Sequence, residues 1–283
     1  MSGRAPPDRT GLDRRYLPAL GLAAAALALI GLGPWLAPND PVALDIAARL
    51  AGPSWQAPLG RDHLGRCILS RLLVGAQWSL GLSLVISVIG LVIGTLVGVA
   101  GAMAGRAGDA VTMRTADVFL AFPELVAAVV IAGILGPGVW TLILALGAVG
   151  WMRYARVARS LCLSVSGRDY VVQARLSGLG PLGLLRWHYG PAVLPHLLVV
   201  WSAGWARSIL AISGLGFLGF GMQPPLPEWG TMLLDGKAWI RSAPLLTLWP
   251  GLMILAWVLA INLAGDRLRD ALADREAGVA GAR

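Results

Sequence analysis

Six stretches of the chain stay apolar for the ~20 residues that a membrane-crossing helix needs: 17–36, 79–103, 116–136, 138–161, 191–212 and 244–264. The second is the cleanest, with no charged residue from Ser79 to Met103, whereas the fourth contains Arg153. Between the stretches the pattern changes. Residues 1–16 are polar and proline-containing, which predicts a disordered tail. Residues 37–60 carry Pro38, Pro41, Pro53 and Pro58 and read as an extended loop. From Leu64 to Trp78, Leu64, Ile68 and Leu72 alternate with Arg66 and Arg71 at helical spacing, which predicts a short interfacial helix. Residues 213–230 are too rich in Gly, Pro and Phe for a span and predict a re-entrant or interfacial segment buried against protein. The expected plan is therefore a tail at 1–16, a first helix at 17–36 and a loop with an interfacial helix at 37–74. A transmembrane domain at 75–264, with a long polar loop at 162–190, and a tail at 265–283 follow.

Composition turns these stretches into spans. Of the 283 residues, 57% are hydrophobic and only 13% are charged, about half the ~25% of a soluble domain, and the mean hydropathy is +0.70. The chain reads as an all-α integral membrane protein with six transmembrane helices. Arg14 and Arg15 precede the first stretch as they would in a signal peptide, but its end, Pro34-Trp35-Leu36-Ala37-Pro38, lacks a small-residue cleavage site. It reads as an uncleaved anchor.

The net charge of +8 could suggest nucleic acid, but its distribution is topological. With an inner N-terminus, the segments 1–16, 104–115, 153–190 and 265–283 hold sixteen of the 23 Lys and Arg residues, as the positive-inside rule requires. That predicts both termini in the cytoplasm and leaves nucleic acid without a motive. Cys67 and Cys162 fall on opposite sides in this topology and should not pair.

Few motifs offer chemistry. Gly178, Gly180 and Gly183, and again Gly214, Gly216 and Gly219, match G-x-G-x-x-G without the strand a dinucleotide site needs. Gly90, Gly94, Gly98 and Ala102 put four small residues on one helical face, the pattern by which helices approach closely in lipid. Ser79, Ser83 and Ser87 line a second face and read as bonding back to their own helix. Charges inside spans are candidate functional groups: Asp117, Glu124 and Arg207. Asp117 lies where it could reach water. A Glu124–Arg207 pair would relieve two buried charges, while an Arg207 facing a translocation cavity would meet an anionic or carboxylate-bearing solute.

The loop around 153–190 is the most informative segment. Arg153, Arg156 and Arg159 recur every three residues, extending a helix into the zone of anionic lipid headgroups. Arg168 to Gly178 reads as a short helix with a glycine stop, followed by Leu182, Leu184, Leu185 and Trp187 and by Pro191 at the head of the next span. Together they predict a compact cytoplasmic knob on which a soluble partner could dock.

These residues resemble the E-A-A-x-x-x-G loop of binding-protein-dependent ABC importer permeases, with Gly178 and Pro191 thirteen apart. The likeness extends to Gly60-Arg61-Asp62-His63-Leu64-Gly65-Arg66 with Ser70-Arg71-Leu72, to Gly214–Gly221 with Pro224-Pro225 and Glu228-Trp229-Gly230, and to Gly265–Asp270. Four motifs in order are similar to the C-type subunit of dipeptide, oligopeptide and nickel importers. The resemblance implies a type I ABC importer permease fold in a bacterial inner membrane. It implies a subunit that is not itself an enzyme, holds no cofactor or metal, and moves peptides or metal chelates by alternating access. Partners would be a second homologous permease, two ATPase subunits carrying ATP and Mg, an extracytoplasmic solute-binding protein and membrane lipid. The ATPase-coupling residues would be Arg168, Tyr170, Gln173, Ala174, Arg175, Gly178 and Pro191, although Val172 stands where the family carries Glu. The alternative is a secondary transporter or channel without an ATPase.

Overall fold

The computed structural model describes residues 17–280, with side chains described for residues 19–273. The predicted tail at 1–16 lies outside the described residues. The described chain is mostly helical, with residues 37–67 a loop that holds one 3₁₀ turn (Ile46–Ala48): α1 (Leu17–Leu36), α2 (Ile68–Met103), α3 (Gly105–Leu120), α4 (Glu124–Leu135), α5 (Val139–Ser166), α6 (Asp169–Leu176), α7 (Pro181–Leu184), α8 (Gly190–Phe217), α9 (Trp229–Lys237) and α10 (Leu245–Ala280). A single π-helical turn, Leu185–Tyr189, joins α7 to α8.

Among the described residues, four helices are long and apolar enough to cross a membrane, and a fifth crossing arises if α3 and α4 count as one span bent by 80°. The sixth expected span corresponds to α5, whose 28 residues reach about 42 Å, but its arginines keep it outside that count. The expected continuous helix at 116–136 is broken at Ala121–Pro123. Pro123 has no N–H to continue the ladder and disfavours helical geometry in Phe122, so it stands as the N-cap of α4 instead.

Helix α2 is the central mast and packs on α5, α1 and α8. The separate interfacial helix expected at 64–78 does not exist: α2 starts at Ile68 and runs unbroken for 36 residues, about 54 Å, well beyond a ~30 Å hydrocarbon core. Its first turns are buried because Arg66 and Arg71 turn into protein rather than toward headgroups. The expected tail at 265–283 likewise begins as a continuation of α10, through Ala280.

The small-residue face of α2 does what its spacing predicts. A Cβ on Gly94 would stand 2.2 Å from the Trp151 carbonyl oxygen and 2.6 Å from Tyr154 Cβ, and one on Gly98 would stand 2.2 Å from the Ala155 carbonyl oxygen. Glycine therefore lets the α2 and α5 backbones approach within a distance that any side chain would block. The serine face goes beyond the expectation. Ser83 and Ser87 donate to the carbonyls of Leu80 and Leu84, three residues back, at 2.9 Å each. They also accept from Trp205 Nε1 at 3.0 Å and Trp201 Nε1 at 3.1 Å. The serines thus hold α8 to α2, with the two indoles stacked 5.9 Å apart. An apolar core of Ile68, Leu72, Leu80, Ile209, Trp229 and Ile261 fills the space among α2, α8, α9 and α10.

Because the α2–α5 seam has no room for a side chain, Gly94→Leu should overpack it and cost about 1–3 kcal/mol. The thermal midpoint of the solubilised chain should fall and folded yield with it. Gly147→Ala, whose new Cβ would find its nearest neighbour 3.9 Å away, should leave both unchanged.

Candidate functional site

Three polar constellations stand out, and the helices place them at different levels of the bundle. The first is the knob between α5 and α8. Helix α6 ends in a Schellman arrangement: Gly178 N–H donates to the Arg175 carbonyl at 3.1 Å and Leu179 N–H to the Ala174 carbonyl at 3.1 Å, with Gly178 at φ +85°. Nothing lies within 4 Å of a Cβ built there, so glycine is needed for its backbone conformation and not for space. Val171 is fully buried and pins α6 to a cluster with Cys162, Val165, Leu184 and Tyr189. Pro191 is the second residue of α8, which follows the π-helical turn directly.

Around this anchored core, Arg168, Gln173, Arg175 and Gly178 are exposed and Ala174 is half-buried. Arg175 is engaged, donating to the Tyr189 hydroxyl at 3.1 Å, and Tyr170 packs on His188 with ring centroids 5.7 Å apart. The exposed surface is also apolar: Leu176 is 82% exposed, Leu182 77% and Trp187 65%.

The second constellation corrects the reading of the intramembrane charges. Glu124 pairs with Arg153 at 2.9 Å, not with Arg207. Asp117 pairs with Arg156, and Asp109 with Arg159. The three arginines spaced by three residues therefore meet a carboxylate each along α3 and the start of α4. The bend at Pro123 is what brings Glu124 into line with Arg153. Glu124 and Arg207 do share a recess, with Ser87, Gly90, Gly150, Arg153, Tyr154, Gly204 and Ser208. Asp117 is not part of it. The recess encloses about 20 Å³, room for a water or two.

The third constellation lies at the N-terminal end of α2, in residues that the motif reading quoted without assigning them a role. Gly60 and Gly65 adopt φ +84° and +78°, and a Cβ on Gly65 would stand 1.8 Å from the Asp45 carbonyl oxygen. This tight turn aims Asp62 at Arg66 (2.6 Å) and Arg71 (3.6 Å), and the same arginines reach Asp235 of α9 at 3.3 and 3.8 Å. Arg61 pairs with Asp45 at 3.1 Å. Two arginines and two aspartates thus tie the loop before α2 to α9.

Beside this knot, Glu228 caps α9. Its carboxylate is fully buried and accepts from Gly230 N–H at 2.7 Å, Thr231 N–H at 2.9 Å and Ser79 Oγ–H at 3.2 Å. Burial outweighs those hydrogen bonds and pushes the carboxyl up to about 7. The signal in the sequence was an acidic residue just ahead of a helix start, a recognised cap pattern.

A carboxyl whose folded pKa is raised stays protonated after the unfolded chain has released its proton, so stability falls as pH rises between the two values. The stability difference between wild type and Glu228→Gln should therefore decline from about pH 4.5 to about pH 7 and level off above. Thermal melts across that range measure it; a difference that stays flat contradicts the assignment.

Comparison with known proteins matches this architecture. Residues 72–277 match the family described as binding-protein-dependent transport system inner membrane component. The nickel transport system permease protein NikC of Escherichia coli (strain K12) is 40% identical over 249 residues, covering 88% of this chain and 90% of that protein. The di/tripeptide transport system permease protein DppC of Pseudomonas aeruginosa (strain UCBPP-PA14) is 44% identical over 248 residues, covering 84% and 81%. In structure, a chain of the MetNI methionine ABC transporter in an inward-facing conformation superposes with a TM-score of 0.59 over 71% of this chain and 95% of that one. At 20% identity this likeness speaks for the fold alone, that of a type I ABC importer permease. With a seam of glycines, an anchored knob between spans and a family match over most of its length, the chain belongs to the inner-membrane components of binding-protein-dependent transport systems.

Proposed function

We propose that this chain is the permease subunit of an ATP-driven importer, working by alternating access. It pairs with a second, homologous permease. Two separate ATPase subunits bind ATP and Mg, and an extracytoplasmic solute-binding protein delivers the cargo. Both termini face the cytoplasm and six spans cross the inner membrane, α5 among them. What supports α5 as a span is that Arg153, Arg156 and Arg159 each have a carboxylate partner, which lowers the cost of placing them near lipid. The cargo is a di- or oligopeptide, or nickel or a metal chelate; what supports this is that one relative's name carries nickel and another's di/tripeptides.

The observation that carries this reading is the knob. Helix α6 is locked to the bundle through Val171 and closed by Gly178, so a push on the exposed Leu176, Leu182 and Trp187 is transmitted to α5 and α8 as to rigid levers. Arg168, Tyr170, Gln173, Ala174, Arg175, Gly178 and Pro191 form its frame. Docking relies on this apolar surface and on arginines, in place of the carboxylate that Val172 lacks. The recess around Arg207, at about 20 Å³, is too small for any such cargo, which is consistent with a path shared with the second permease.

Leu176→Asp and Leu182→Asp place a charge on surfaces that are already exposed, and folding should not notice. Uptake should drop at least tenfold and the ATPases should no longer co-purify, at unchanged membrane levels of the subunit. Wild-type uptake with full ATPase recovery would sink the docking surface, and wild-type uptake with no ATPase recovered would favour a transporter driven without one.

A further inference from the structure

The recess between α2, α4, α5 and α8 holds an uncompensated charge. Arg153 neutralises Glu124 at 2.9 Å. Among the described residues no carboxylate lies within 4 Å of Arg207, which faces the same recess together with the Tyr154 hydroxyl and Ser208. One positive charge is therefore left over about two thirds of the way along α8: Arg207 is the eighteenth of its 28 residues. A guanidinium at this depth is expensive, and groups of this kind face a water-filled cavity or a solute path.

The surroundings keep that arginine from drifting to a partner elsewhere. Gly204, one turn before Arg207, is packed against Tyr154, whose hydroxyl would stand 1.8 Å from a Cβ on it. Tyr154 in turn rests on the glycine face of α2 at Gly90 and Gly94. The seam that sets the helix register thus also holds Arg207 beside the Glu124–Arg153 pair. Its five N–H donors are matched in geometry to a carboxylate, with which a guanidinium forms paired hydrogen bonds. A free divalent cation entering the same recess meets a net positive charge and no unclaimed carboxylate.

We propose that Arg207 is the charge-selecting residue of the path: it receives a carboxylate of the solute in transit, so that the cargo is a carboxylate-bearing molecule and not a bare divalent cation. Peptides and carboxylate chelates of a metal share this chemistry. The proposal rests on the importer reading and narrows its cargo.

The test uses the complete importer, expressed with its own partner subunits in cells lacking other peptide and nickel uptake. Four probes are supplied: a pool of dipeptides, the same pool as C-terminal amides, radioactive nickel chloride, and radioactive nickel with excess citrate. Wild type should take up the free-acid dipeptides or the nickel citrate, and neither the amides nor the bare nickel. Arg207→Gln should lower the maximal rate for the carboxylate probe at least tenfold, with half-saturation and yield of the assembled complex unchanged, and Arg207→Lys should restore a third or more of it. Uptake of bare nickel or of the amides at the rate of the carboxylate probes overturns the proposal, as does uptake of no carboxylate probe by wild type. So does an Arg207→Gln importer that is as active as wild type, or one whose loss is matched by loss of assembled complex. Leu182→Asp in parallel separates the two readings: uptake that stays intact while the ATPases no longer co-purify makes the ATPase-coupled importer fail, whatever Arg207 does.

Discussion

The backbone contact between α2 and α5 is the constraint on which the remainder depends. In lipid, apolar side chains gain little by leaving their surroundings for one another, so helices hold together through close packing and hydrogen bonds. Gly94 and Gly98 bring α2 within reach of the carbonyls of Trp151 and Ala155, and that contact permits only one register. Once it is set, Tyr154 lies against Gly90 and Gly204, and Arg153 stands opposite Glu124. A single added methyl group at the seam would displace all of these together.

On its other face α2 works by hydrogen bonding. Ser79, Ser83 and Ser87 recur every fourth residue, and their partners Glu228, Trp205 and Trp201 come from the far side of the sequence. The mast therefore joins two halves: α5 by closeness, α8 and α9 by serine. Beyond its N-terminal end the knot of Asp62, Arg66, Arg71 and Asp235 fixes the loop that precedes it. At the opposite end the knob between α5 and α8 is held by Val171 and Tyr189. Movement imposed on the knob thus passes into the two helices that α2 clamps, and both of them line the recess at Arg207.

Much of this was legible in the residues, and the rest was not for definable reasons. Apolar length identified four of the six expected spans among the described residues, and a fifth if the bent pair α3–α4 counts as one, because lipid demands that length. Small residues at Gly90, Gly94 and Gly98 announced a close seam, since a fourfold spacing has one structural use. The short helix closed by Gly178 was legible for the same reason. The break at Pro123 was missed because window apolarity continues through it, and local backbone chemistry outweighed that average. The pairing of Glu124 with Arg153 could not be read either. It depends on an 80° bend that carries Glu124 to α5, so the expectation chose Arg207, a charge at comparable depth on another span. Arg66 and Arg71 looked like a headgroup face because the turn at Gly65 that aims the nearby Asp62 at them was not read, and their second carboxylate, Asp235, is more than 160 residues away in sequence. Helix α2 was expected too short by the same oversight.

If the proposed function holds, soluble ATPases drive this subunit through the knob between α5 and α8. Labelling of Leu182→Cys with a membrane-impermeant maleimide tests it most directly, since Cys67 and Cys162 are both buried. In inverted membrane vesicles the new thiol should label fully once the ATPases are stripped and should be protected when they are added back. In right-side-out vesicles it should not label. Equal labelling with and without the ATPases, or labelling from the outer face, would contradict the account.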